Sequence, residues 1–198
     1  MNMKALGISG SPRRHGNTET LLDAFLDGVE EAGAECEKII LRNLEFSSCK
    51  GCNACHKTGV CVIKDDLEDL FDRILDIDIL ALASPIYSMG VTAELKAFID
   101  RGQFFWARKF ILKDLYFNYD HIKRHKGFFI STAGQNWDHV FDGAYPVINA
   151  FFNDIGFEYR DNIIANNMDE YKGITGHPTA LEDAQKAGAR IVQELKKA

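Results

Sequence analysis

Gly10-Ser11-Pro12-Arg13-Arg14-His15-Gly16-Asn17-Thr18 is the stretch on which the fold turns. Before it runs Lys4–Gly10, a short apolar segment ending in glycine, the pattern of a strand buried on both faces. After it, Leu21, Phe25 and Val29 recur every four residues, and Leu22 and Leu26 widen the same stripe. That spacing predicts an amphipathic helix from Thr18 to about Ala32, with Gly33 as its stop. A polar, glycine-flanked loop between strand and helix sets backbone N–H groups at the helix N-terminus. These carry partial positive charge and favour an anion. Gly10 and Gly16 let the chain curl closely, Ser11, Asn17 and Thr18 add short donors, and Arg13 or Arg14 adds charge-assisted ones. The plain alternative is a polar turn with a good helix cap.

The loop differs from a nucleotide-hydrolysing P-loop in two ways. Five residues separate its glycines instead of four, and Asn17 stands where a lysine is needed. The G-x-G-x-x-G spacing of a dinucleotide site is also missing. One terminal phosphomonoester, as on FMN, fits better than a bridging pyrophosphate.

Strand patterns recur downstream at Glu37–Leu41, Asp78–Ala83, Gly127–Thr132 and Phe157–Ala165. Helical patterns alternate with them. One follows Asp66, a candidate cap, and carries Leu67, Leu70, Phe71 and Ile74. Thr92–Arg101 is another. Phe141–Ile155 contains Pro146, which requires a kink or a later start. Thr179 and Glu182 have capping-box spacing before a last helix that faces the core through Leu181, Ala184, Gly188, Ile191, Val192 and Leu195. The alternation predicts an α/β fold, a doubly wound five-stranded parallel sheet, in one domain over 1–198 with a cysteine-rich loop inserted at 47–64; the order 2-1-3-4-5 is borrowed from a common arrangement of such sheets rather than read from the alternation. The aromatic stretch Gln103–Tyr119 has no clear period. Its many rings suit a subunit interface, a wall over a ligand, or ordinary core.

In such a sheet ligands sit beyond the carboxyl ends of the strands where the order reverses. Two further loops reach that point, Ser84–Gly90 and Ser131–Gln135. Tyr87 and Met89 can offer apolar surface to a flat ring, and backbone groups at 86–89 and 132–135 can bond its polar edge. Ordinary β–α turns are the alternative.

Four of the five cysteines crowd between Cys49 and Cys61, which in a reducing compartment suggests a metal centre rather than disulfides. The spacing of Cys49, Cys52 and Cys55 lets three thiolates converge on one [4Fe–4S] cube, with Cys61 as fourth ligand and Cys36 excluded. Zinc and a metal-free reduced loop stay open. The six histidines are scattered and read as surface or structural. Lys96, Asp100 and Arg101 permit an ion pair on one helix.

The bulk values narrow the class. Hydrophobic residues at 46% and charged residues at 26% are ordinary for a globular protein. A net charge of −6 argues against a nucleic-acid partner. No apolar run is long enough for membrane insertion, and the N-terminus lacks signal-peptide regions, so a cytoplasmic location is expected.

Taken together, G-S-P-R-R-H-G-N-T at 10–18, S-P-I-Y at 84–87 and T-A-E-L-K-A-F-I-D-R at 92–101 resemble the NADPH-dependent FMN reductase group of flavodoxin-like proteins. The run C-K-G-C-N-A-C-H-K-T-G-V-C at 49–61, with I-K-D-D at 63–66, is similar to its iron–sulfur flavoproteins. The resemblance implies FMN phosphate contacts at Ser11, Arg13, Asn17 and Thr18. It implies ring contacts at Pro85, Ile86, Tyr87, Ser88 and Met89, and at Thr132, Ala133 and Gly134. It also implies a homodimer or homotetramer. The expected function is an FMN-dependent oxidoreductase moving electrons from NAD(P)H or a protein donor to a small acceptor such as a quinone. An electron carrier between redox proteins is the alternative, and a metal-stabilised phosphate-binding domain a third.

Overall fold

A computed structural model describes residues 3–197. In chain order its elements are β1 (Lys4–Ser9), α1 (Asn17–Glu31), β2 (Glu35–Ile40), α2 (Cys55–Thr58), α3 (Leu67–Ile74), β3 (Ile79–Ala83), α4 (Ala93–Arg101), α5 (Gln103–Trp106), α6 (Tyr119–Arg124), β4 (Lys126–Thr132), α7 (Tyr145–Asp154), β5 (Glu158–Ala165) and α8 (Ala180–Leu195). The strands pair in parallel in the order β2-β1-β3-β4-β5, the flavodoxin-like order.

Apart from Lys4, the residues of the three inner strands are buried, and their centres are apolar because both faces are covered. Strand alternation divides their side chains. Ala5, Ile79, Ala81, Phe128 and Ile130 meet α1 and α8, whereas Leu6, Ile8, Leu80, Leu82 and Phe129 meet α3, α4, α5 and α7. On the first face α1 and α8 cross closely at glycines. A Cβ on Gly28 would stand 1.9 Å from the Gln185 carbonyl oxygen, and one on Gly188 would stand 2.1 Å from that of Phe25.

Gly188→Ala is therefore expected to destabilise the chain by about 2 kcal/mol. Overpacking costs about 1–3 kcal/mol, and its upper end applies where the obstacle is backbone. Alanine returns only about 1 kcal/mol of helix propensity. A urea midpoint equal to wild type would contradict the close crossing.

Pro146 lies at the start of α7, so the later start holds and no kink forms. Two expected caps differ. Asp66 spends its carboxylate on the Glu45 N–H, and Asp65 instead accepts from the Leu67 N–H. Thr179 makes no side-chain cap; His177 Nδ1 accepts from the N–H groups of Thr179 and Ala180. The aromatic stretch divides by depth. Phe104 and Phe105 join the core beside Phe71 and Phe98. A π-helical segment follows at Ala107–Leu112, and Phe110, Ile111, Tyr116 and Tyr119 are exposed. No helix among the described residues is long and apolar enough to cross a membrane.

Candidate functional site at the carboxyl ends of the strands

Three loops leave the carboxyl ends of β1, β3 and β4, and buried hydroxyls join them in a closed triangle. Thr92 Oγ1 donates to the Gly10 carbonyl at 2.6 Å. Ser131 Oγ donates to the Ser84 carbonyl at 2.7 Å. Thr18 Oγ1 and Thr132 Oγ1 share a bond of 2.5 Å. Each bond crosses between two different loops, and all three lie in the protein interior. The loops are thereby fixed relative to one another before any ligand arrives.

Between them lies an open cavity of about 210 Å³. Ser11, Arg13, Asn17 and Thr18 line it from the first loop, Pro85, Ile86 and Tyr87 from the second, and Thr132 and Gly134 from the third. These are nine of the twelve residues expected there. Ser88 and Met89 stand outside the lining, at the tip of a tight turn closed by bonds between Tyr87 and Gly90 in both directions. Both have left-handed backbone, with φ of 49° and 68°, as a type I′ turn requires. Each costs about 1–2 kcal/mol in a residue other than glycine. Ala133 is buried behind the cavity against Val140 and Phe141.

The cavity also has a fourth wall. The chain after β5 folds back so that Met168 and Asp169 donate their N–H groups to the carbonyls of Ala133 and Gly134. Both residues line the cavity, and the Asp169 carboxylate lies against Gly134, where a Cβ would meet it at 2.6 Å. The same segment holds Asn17: its Oδ1 accepts from the Ile174 N–H at 3.0 Å. That bond turns the Asn17 amide nitrogen into a donor without a partner among the described residues.

The first loop is held from below as well. Arg42 donates to the Ser11 carbonyl at 3.0 Å and pairs with Glu19. Glu19 is buried in the first turn of α1 and also meets Lys38. Burial pushes its carboxyl up, but Lys38 and Arg42 outweigh burial and hold it below the usual range. A larger cavity, about 750 Å³, lies at the opposite ends of the strands between Lys4, Asp76, Asp78 and Arg124. It collects none of the loops that carry phosphate- or ring-binding groups.

The cysteine loop occupies the same end of the sheet, after β2. Cys49, Cys52, Cys55 and Cys61 border one cavity of about 40 Å³ together with Arg101 and Phe104. All four are free thiols. Burial pushes the Cys55 thiol up, and the other three sulfurs push it further. Among the described residues no three histidine, cysteine or carboxylate side chains stand close enough for a single metal ion. Cys36 lies apart, with its thiol donating to the Leu26 carbonyl and pushed by burial up to about 11. Lys96 and Asp100 form the expected exposed pair. Arg101 points elsewhere, to Asp65 at 2.5 and 3.0 Å.

Residues 3–137 match the sequence model of the NADPH-dependent FMN reductase family. The chain belongs to this family. An iron–sulfur flavoprotein of Archaeoglobus fulgidus is 36% identical over 205 residues, covering 97% of both chains. A second one from the same organism is 44% identical over 99 residues, 50% of this chain and 45% of that protein. This chain likewise spans about half the length of other iron–sulfur flavoproteins to which it is similar. A solved flavone reductase superposes with a TM-score of 0.70 at 23% identity, over 98% of this chain and 63% of its own, which shows the shared fold. The reductase-family segment takes in the first three loops and the cysteine loop; Met168 and Asp169 lie beyond it.

Proposed function

We propose that the chain binds FMN non-covalently in the three-loop cavity and works as an oxidoreductase, taking electrons from NAD(P)H or a protein donor and passing them to a small acceptor such as a quinone. The observation that carries this reading is the convergence of phosphate-type donors and flat-ring surfaces on one prebuilt cavity. The donor set fits a phosphomonoester: α1 N–H groups, Ser11, Thr18, the free amide nitrogen of Asn17, and Arg13. Pro85, Ile86 and Tyr87 provide apolar surface for the ring, and Asp169 adds an acceptor for a ring N–H. When bound, FMN supplies hydride acceptance and electron release, which no side chain of the cavity can supply. The exposed turn at Tyr87–Gly90 leaves one side of the cavity open to a second molecule. Steady-state oxidation of NADH or NADPH with a quinone tests the NAD(P)H form of the reading; no turnover with either reductant would contradict that form and leave the protein donor.

Arg13→Ala is expected to weaken FMN binding by about 1.5–3 kcal/mol, the loss of a charge-assisted hydrogen bond, with stability nearly unchanged because Arg13 is exposed. An unchanged dissociation constant by fluorescence titration would remove Arg13 from the site.

We further propose that Cys49, Cys52, Cys55 and Cys61 hold a [4Fe–4S] cluster. The spacing of Cys49, Cys52 and Cys55 suits three corners of such a cube, and Cys61 borders the same cavity as the candidate fourth ligand. Cys49 and Cys52 are exposed, which favours a second reading in which a redox protein docks at this loop and the chain carries electrons between partners. Assembly as a homodimer or homotetramer is proposed from the exposed Phe110, Ile111, Tyr116 and Tyr119. Light scattering is expected to give a multiple of 22.3 kDa; the monomer mass at micromolar concentration would contradict it.

A further inference from the structure

We propose that Arg101 is the positioning residue of the cysteine loop: it ties the two ends of the loop together and gives its one remaining N–H to the sulfur set of the cluster, favouring the reduced form. The inference rests on the cluster reading above. Arg101 closes α4, and its side chain is 1% exposed. Its Nη1 donates to the Ser47 carbonyl at 2.9 Å and to Asp65; its Nη2 donates to the Ile63 carbonyl at 3.2 Å and to Asp65. Ser47 and Ile63 flank the loop on either side, so one guanidinium fixes both entrances. Asp65 strengthens the tie by accepting from the Ser47 N–H.

Four of the five guanidinium N–H groups are thus used. The fifth, on Nε, is buried and has no partner among the described residues. The guanidinium borders the cavity that the four cysteines share, within electrostatic reach of the Cys61 sulfur. A buried donor left unpaired is costly, and thiolate and sulfide sulfurs are the acceptors its surroundings would gain. On one-electron reduction the cluster becomes more negative by one unit, while the guanidinium stays protonated and no proton moves. A fixed positive charge with a donor therefore favours the reduced form, since hydrogen bonds to the sulfurs and local charge set cluster potentials. Lysine keeps the charge but lacks the fork that reaches Ser47, Ile63 and Asp65 together.

The test uses the full chain purified without oxygen, as wild type, Arg101→Gln and Arg101→Lys. Iron, sulfide and FMN are counted, the cluster midpoint is measured by electron paramagnetic resonance in a redox titration, and iron loss to a ferrous chelator is timed. Arg101→Gln is expected to shift the one-electron equilibrium at least tenfold toward the oxidised form, about 59 mV in midpoint, with FMN content unchanged. Arg101→Lys is expected to shift the midpoint less but to lose iron several-fold faster than wild type. It keeps the proposal testable if the glutamine variant does not fold. Lower thermal stability with an unchanged midpoint in the loaded fraction would mean a structural role only and overturn the proposal. A wild-type chain without iron would overturn the cluster reading itself, whatever the variants do.

Discussion

Asp65→Ala is expected to cost about 3–5 kcal/mol of folding stability, the largest effect of any single carboxylate in the chain. The cause is the charge it leaves behind. Arg101 is 1% exposed and has no water to fall back on, and Asp65 at 12% has little. Removing one member of a buried pair strands the other, and most of the cost is the desolvation of the charge that stays. Arg42 and Lys38, which would lose Glu19 in the comparable variant, are each partly exposed and are stranded less. Replacing both Asp65 and Arg101, as in Asp65→Ala with Arg101→Met, should recover part of the loss because no buried charge then remains. Asp100→Ala, which breaks only the exposed pair with Lys96, should change stability by no more than about 0.5 kcal/mol. Urea unfolding of the three variants measures all of this. A loss below about 1 kcal/mol for Asp65→Ala would show that the loop is not held through this pair.

Cys52→Ala is expected to take the chain from about four irons and four sulfides to none, as the cluster formula requires, and to leave FMN bound. The thiol stands at the middle of the Cys49–Cys55 spacing and on the wall of the shared cavity. The three-loop cavity has no residue in common with that wall, so the two losses are expected to separate. Cys36→Ala is the control: its sulfur packs against the α1 face of the sheet and should leave iron unchanged. Stoichiometric zinc, or no iron under strictly anaerobic preparation, would end the cluster reading and leave a plain FMN-dependent oxidoreductase.

The sheet was legible because its signal is local. ILALA at 79–83 and FFI at 128–130 are apolar on both faces, and the stripe of Leu21, Phe25 and Val29 needs no knowledge of what it packs against. Nine residues of the cavity wall were legible for a related reason: they lie on the loops that the strand order must bring together. The bonds that stiffen the site were not. Gly10 with Thr92, Ser84 with Ser131 and Thr18 with Thr132 are 82, 47 and 114 residues apart, and serines and threonines at strand ends look like any polar turn. Met168 and Asp169 escaped because the last loop reaches the cavity only by folding back on the third, which no spacing announces. Arg101 was read with its helix neighbours Lys96 and Asp100, because helical spacing says nothing of a partner 36 residues away. The same blindness hid His177, whose ring caps α8 where a threonine and glutamate had the expected pattern. Gln103–Tyr119 defied assignment because its π-helical segment has neither the helical nor the strand period, and its rings are divided between core and surface.

Whether the three-loop cavity holds FMN is decided most directly by mass spectrometry of the cofactor released on heating the full chain, purified without oxygen. The expected result is the mass of FMN at one equivalent per chain, falling in Arg13→Ala after dialysis. Release of FAD, or of no flavin at all, would contradict it.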